Sequence, residues 1–247
     1  TSLAAQEGRQ VILVLIAMQK LASSSVAAIR KALKGRLGRL CTARLELKEK
    51  INLSSDMKAA ISKADDESAL LSDLENDVDI MLAEATLTLM ESEIPNLESL
   101  VAAADRVNTE TKIEKILEIL EDRFKNRQVL FFTEYKTTQS LLMSSLISRY
   151  GDGCVTFING DERLEELMLP NGITATRSIN RGDAADLFNE GKVRFLISTE
   201  AGGEGIDLQD RCYSLIHVDL PWNPMRLHQR VGRLNRYGQK HPGDVIS

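Results

Sequence analysis

From Gln128 onward the sequence alternates short runs of β-branched and aromatic residues with helical stretches, and this alternation constrains the fold more than any other feature. The short runs are Gln128–Phe132, Val155–Ile158, Val193–Ser198 and Leu215–Asp219. The helical stretches are Lys136–Tyr150, Arg181–Glu190 and Pro224–Arg236. Strands that alternate with helices form βαβ units, whose strands lie parallel and are covered on both faces. The expected fold class is therefore α/β, a parallel sheet with helices on both faces, and ligands of such a sheet gather at the carboxyl ends of its strands.

Upstream, from Gln10 to about Arg127, apolar residues recur at helical spacing, as in Ile113, Ile116, Leu117, Leu120 and Phe124. Ser23–Ser25 should break and cap a first helix, Asn52–Ser55 should end a second, and Pro95 should open a new one. This predicts a helical region over residues 1–127 and an α/β lobe over 128–247. Val245–Ser247 reads as the start of a further strand, so the lobe is expected to be truncated at its C-terminal end.

Composition excludes several classes. The longest apolar run, Val11–Met18, has eight residues, well short of the ~20 that span a bilayer. No membrane partner is expected. Cys41, Cys154 and Cys212 form no C-x-x-C pair, so neither structural zinc nor a disulfide framework is expected, and the compartment reads as cytoplasmic. The net charge of −5 gives no bulk attraction to nucleic acid. Its distribution is uneven: residues 30–50 carry eight bases, and residues 65–98 carry eleven acids and no base. Two complementary helix faces are the plainest account of that asymmetry.

Four of the predicted strands end in chemically distinctive turns, all on one edge of the sheet: Thr133-Glu134-Tyr135, Asn159-Gly160, the run from Ser198 to Asp207, and Asp219-Leu220-Pro221-Trp222-Asn223-Pro224. Gly202, Gly203 and Gly205 would let backbone amides approach a phosphate, although three glycines in a loop more often mark a tight turn. Asn223 as N-cap and Pro224 at the first position start the last helix. Leu227, Val231 and Leu234 form its expected buried stripe, and Arg226, Gln229, Arg233 and Arg236 its opposite face. Arginine's planar, permanently charged fork suits phosphate; a solvated basic helix is the alternative.

These residues carry a resemblance. The run Ile197-Ser-Thr-Glu-Ala-Gly-Gly-Glu-Gly-Ile-Asp-Leu-Gln209, the run Asp219-Leu-Pro-Trp-Asn-Pro-Met-Arg-Leu227 and the run Gln229-Arg-Val-Gly-Arg-Leu-Asn-Arg-Tyr-Gly-Gln239 closely resemble motifs of the C-terminal RecA-like lobe of Swi/Snf-type helicase-like ATPases, in helicase superfamily two. Phe131–Tyr135 resembles the fourth motif, and the form of the last run is nearest the bacterial RapA-like branch. The helical half is similar more loosely: Gln19–Ser25 resembles the helix that opens this lobe, Thr111–Ile113 the approach to the fourth motif, and the segment between them a helical protrusion.

The resemblance implies a role for each matching residue. Arg233 and Arg236 match the arginine fingers that reach the ATP γ-phosphate, Gln229 the leading polar residue of that motif, and Gly205 and Asp207 positions near the ribose and phosphates. Thr133, Gly160 and Thr199 match positions along the nucleic-acid backbone, and Trp222 one that packs beneath a loop. ATP and Mg²⁺ are the implied cofactors, held mainly by an N-terminal RecA-like lobe. Double-stranded DNA is the implied substrate track, RNA polymerase or another DNA-bound complex a further partner, and the nucleoid the implied location. No phosphate loop of the form G-x-x-x-x-G-K-[ST] occurs in the chain, because the single Gly-Lys pair, Gly191-Lys192, is followed by Val193. The expected function is thus the second motor lobe of an ATP-dependent double-stranded-DNA translocase, inactive by itself. An RNA-directed helicase lobe and a catalytically dead docking module are the alternatives. Residues 161–180 are longer than the resemblance predicts and carry no assigned role.

Overall fold

The computed structural model describes residues 16–61, 67–107, 110–200 and 205–241, with the backbone alone over 54–61 and 67–79. Expectations for Val11–Leu15, Gly202, Gly203 and Val245–Ser247 lie outside the described residues. The chain divides into two compact units, one of residues 1–29 with 108–247 and one of residues 30–107. Ile113, Ile116 and Leu120, from the helical stretch that precedes the sheet, belong to the core of the first unit.

The elements in chain order are α1 (16–24), α2 (Val26–Ile61), α3 (Glu67–Asp105), α4 (Thr111–Asp122), β1 (Val129–Thr133), α5 (Lys136–Tyr150), β2 (Val155–Ile158), β3 (Arg163–Met168), β4 (Thr174–Ser178), α6 (Arg181–Asn189), β5 (Phe195–Thr199), β6 (Leu215–His217) and α7 (Pro224–Val231). The sheet of the first unit has strand order β2-β5-β1-β6, all parallel. β1 and β5 are buried along their whole length. Successive side chains serve opposite faces, as the pleat requires. Val129, Phe131, Phe195 and Ile197 join Ile113, Leu120, Leu142 and Leu146 of α4 and α5 in one core layer. Leu130, Phe132 and Leu196 join Ala184 and Phe188 of α6 and Leu234 in the other. This is the α/β arrangement, a parallel sheet covered on both faces, expected from the alternation.

Residues 161–180 contain an antiparallel hairpin, β3 with β4, that the sequence did not disclose. Its register shifts between Leu164 and Leu167, both buried, and Glu166 lies between them at a φ of 57°. The bulge places the two leucines three residues apart on the same buried side.

Two predicted helix ends are absent. Asn52–Ser55 lies within α2, and Pro95 lies inside α3. Pro95 removes a backbone donor and crowds the preceding turn; burial of its neighbours Ile94 and Leu97 keeps the helix continuous. In this second unit the basic segment of α2 and the acidic segment of α3 are complementary: Arg36 pairs with Glu93 at 2.5 Å, Lys48 with Glu91 at 2.7 Å and Lys34 with Asp105 at 2.9 Å. The expected break at Ser23–Ser25 is present, with Ser25 Oγ accepting from Ala28 N at the start of α2.

Candidate functional site

The parallel register brings the carboxyl ends of all four strands to one edge. Thr133 stands beside Thr199, Ile158 beside Ser198 and Phe132 beside His217. Between the turns that follow and α7 lies a cleft of about 700 Å³, lined by Gly160, Thr199, Glu200, Gln229, Arg230 and Arg233, among others. The Asn159–Gly160 wall is fixed from below by Gln139, which is fully buried. Its Nε2 donates to the carbonyls of Ile158 (3.1 Å) and Ile197 (2.7 Å), and its Oε1 accepts from Asn159 Nδ2 at 3.0 Å. Asn159 Oδ1 in turn accepts from Asp161 N and Arg163 N. Lys136 and Asp161 are ion-paired across two of the turns.

Asp219, two residues after the end of β6, organises the floor. Its carboxylate accepts from Thr133 Oγ1 at 2.7 Å, Ser24 Oγ at 2.9 Å and Glu134 N at 2.9 Å. Thr138 of α5 bonds to both Ser24 and Ser25, tying the α1–α2 break to the same network. Lys112 Nζ donates to the carbonyls of Ser24 and Val218, and burial holds its pKa below the usual lysine value although the Asp219 charge opposes the shift. Burial, reinforced by the Arg230 charge, likewise lowers the pKa of His217.

Helix α7 starts as the sequence indicates, with Asn223 Oδ1 accepting from Met225 N at 3.0 Å and Pro224 following. It ends at Val231 and not at Arg236. Its most buried residue is Arg230, 2% exposed, whereas Leu227 and Val231 are half-buried and Leu234 alone of the expected stripe is fully buried. Arg230 Nη1 donates to the Asp219 carbonyl at 2.7 Å, Nε pairs with Glu200 at 3.2 Å, and the guanidinium lies 5.3 Å from the centre of the Phe132 ring. Arg226 pairs with Glu200 at 2.5 Å. Arg233 lines the cleft with no ion-pair partner among the described residues. Arg236, beyond the helix, is paired with Asp207.

Of the residues given a binding or catalytic role by the resemblance, Gly160, Thr199, Gln229 and Arg233 line the cleft together. Thr133 does not: it is fully buried, and its hydroxyl is committed to Asp219. Gly205, Asp207 and Arg236 are not among the cleft's lining residues. They adjoin it through Leu208 N, which donates to the Arg233 carbonyl at 3.4 Å. Gly205 has a φ of 76°, the left-handed region that favours glycine. Trp222 is 69% exposed, so its ring is not packed away as expected. Sequence reading missed Glu200 and Arg230. The signal for Arg230 was present: it sits three residues after Leu227 and four before Leu234, on the buried stripe itself.

A parallel sheet covered by helices on both faces, with this cleft at its carboxyl edge, is a RecA-like α/β lobe. The helicase conserved C-terminal domain matches residues 111–238, and the chain belongs to that family. Among curated proteins it is 39% identical over 137 residues to the uncharacterized ATP-dependent helicase YqhH of Bacillus subtilis strain 168, covering 55% of this chain and 21% of that one. It is 31% identical over 138 residues to the RNA polymerase-associated protein RapA of Vibrio campbellii, covering 55% and 12%. The aligned region thus spans about a fifth and an eighth of those relatives' lengths. The crystal structure of the C-terminal part of the Fun30 ATPase domain aligns over 77% of this chain and 58% of that one, at 21% identity and a TM-score of 0.42. No helix among the described residues is long and apolar enough to cross a membrane.

Proposed function

We propose that this lobe is the second half of a composite ATPase that moves along double-stranded DNA, with Arg233 as the finger that meets the γ-phosphate. The observation that carries the proposal is Arg233 itself. It faces the cleft without a counter-ion among the described residues, while its neighbours Arg226 and Arg230 are both ion-paired, Arg226 with Glu200 and Arg230 with Glu200 and Asp219. An unpaired guanidinium beside the anchored arginine Arg230 is suited to a negative ligand that arrives from outside the lobe. Arg236 is the second finger once released from Asp207, and Gln229, Gly205 and Asp207 complete the ATP-facing set.

The described residues contain no group of three His, Cys, Asp or Glu side chains that could hold a metal ion by themselves. Mg²⁺ and most of the ATP contacts are assigned to an N-terminal RecA-like lobe, and the chain by itself is expected not to hydrolyse ATP. On the nucleic-acid side, Gly160 and Thr199 offer backbone groups at the rim of the cleft. Thr133 acts through Asp219, by holding the turn after β1. Contacts of this type go to phosphates and read no sequence. RNA polymerase or another DNA-bound complex is the proposed partner of the whole protein, in the cytoplasm at the nucleoid.

The test uses the protein that carries both lobes and a duplex bearing a third strand. ATP-dependent displacement of that strand is the expected result. ATPase stimulation by RNA but not by duplex DNA, with no displacement, would replace this reading with the RNA-directed one.

A further inference from the structure

At the opposite edge of the sheet, where β1, β5 and β6 begin, a second cleft of about 450 Å³ opens. Its walls carry Arg127, Arg211 and Lys240 against one carboxylate, Asp210, with the rings of Tyr213 and His241 beside them. None of the three cations has an ion-pair partner among the described residues.

Both arginines lie against the cleft wall. The Arg127 guanidinium lies 5.2 Å from the centre of the Tyr213 ring, and that ring packs on His241 with centroids 4.4 Å apart. Arg211 lies across Gly191: a Cβ there would sit 3.1 Å from Arg211 Nη1 and 3.4 Å from its Cδ. Gly191 has a φ of 79°, so its turn favours a glycine, and the absence of a side chain there leaves room for the Arg211 guanidinium. A guanidinium already packed on an aromatic ring, as Arg127 is on Tyr213, lowers the ordering cost of binding, and a guanidinium fork suits an oxyanion with several oxygens. A third positive charge from Lys240 suits a phosphate better than a single carboxylate.

We propose that this cleft is a second anion site, taking the phosphate group of a nucleotide or of a nucleic-acid backbone, with Arg127 and Arg211 as its two forks. It lies across the sheet from the arginine-finger cleft and does not depend on that assignment.

The experiment labels the full 247-residue chain with phenylglyoxal, which modifies guanidinium groups, and reads each arginine by peptide mass spectrometry. Inorganic phosphate, adenosine monophosphate and a short single-stranded oligodeoxynucleotide are each compared with sodium chloride at matched ionic strength. Modification of both Arg127 and Arg211 is expected to slow about fivefold when ligand stands at roughly four times its Kd, with no slowing at the exposed control Arg123. Protection by phosphate alone identifies a free phosphate group as sufficient; protection confined to the oligonucleotide identifies a backbone phosphate. Arg211→Ala, at an exposed position, should abolish the protection of Arg127 without changing thermal unfolding. Arg233→Ala should leave the protection intact, which separates failure here from failure of the finger assignment. Equal modification rates in chloride and in all three ligands would overturn the proposal.

Discussion

Arg236 and Asp207 are ion-paired to each other, so the outermost arginine of the Gln229–Arg236 run is held by a carboxylate of the glycine loop. Their side chains are 45% and 60% exposed, and such a pair contributes at most about 1 kcal/mol because solvent screens it. The pair can therefore open at little cost when a phosphate competes for Arg236. Asp207→Asn should lower the unfolding free energy of the chain by no more than about 1 kcal/mol in urea denaturation. A loss well above that would show that the pair holds the loop together and is not a releasable latch.

Arg230 is the opposite case. It is 2% exposed and joins α7 to Glu200 and Asp219, so removing it takes the buried cation from Asp219, whose carboxylate keeps only neutral donors, and leaves Glu200 with Arg226 alone. Arg230→Met should destabilise the chain by about 3–5 kcal/mol, the usual cost of breaking a buried pair. Arg230→Lys should recover little, since one ammonium cannot reach the Asp219 carbonyl and Glu200 with the same fork. Denaturation midpoints of the two variants check this; a loss under about 1 kcal/mol for Arg230→Met would contradict it.

His217 gives the lobe an acid sensitivity of known sign. Its folded pKa lies below the ordinary value, from burial and then the Arg230 charge. Between the folded and the ordinary pKa the unfolded chain binds more protons, so stability is complete above about pH 6.5 and falls as the solution is acidified through that window. In His217→Gln this part of the pH dependence should vanish. Unfolding free energies at pH 7 and pH 5 for both proteins measure it, and an equal drop in the two would show that His217 contributes nothing.

The sheet was legible because β1 and β5 are buried on both faces, which turns them into continuous apolar runs such as Val129–Phe132. The start of α7 was legible because capping is local: Asn223 and Pro224 act on their own helix. The β3–β4 hairpin was hidden by its bulge, which replaces the alternation of a strand with a three-residue spacing of Leu164 and Leu167. Pro95 misled because local propensity was outweighed by the burial of Ile94 and Leu97. At the site, Arg233 and Gly160 followed from motif position. The burial of Thr133 and Arg230 did not, because both are satisfied by Asp219, 86 and 11 residues away in the chain.

The central claim rests on Arg233, and one comparison tests it most directly: steady-state ATP hydrolysis by the two-lobed protein with Arg233, Arg233→Ala and Arg233→Lys, at saturating duplex DNA. A finger that stabilises charge only in the transition state is worth about 10³–10⁵ in kcat. The alanine variant should lose activity on that scale with little change in KM. Its melting temperature should be unchanged, because Arg233 is half-buried and makes no ion pair among the described residues. The lysine variant should stay far below the parent, because a point charge does not replace the fork. Turnover within a few-fold of the parent in Arg233→Ala would contradict the account.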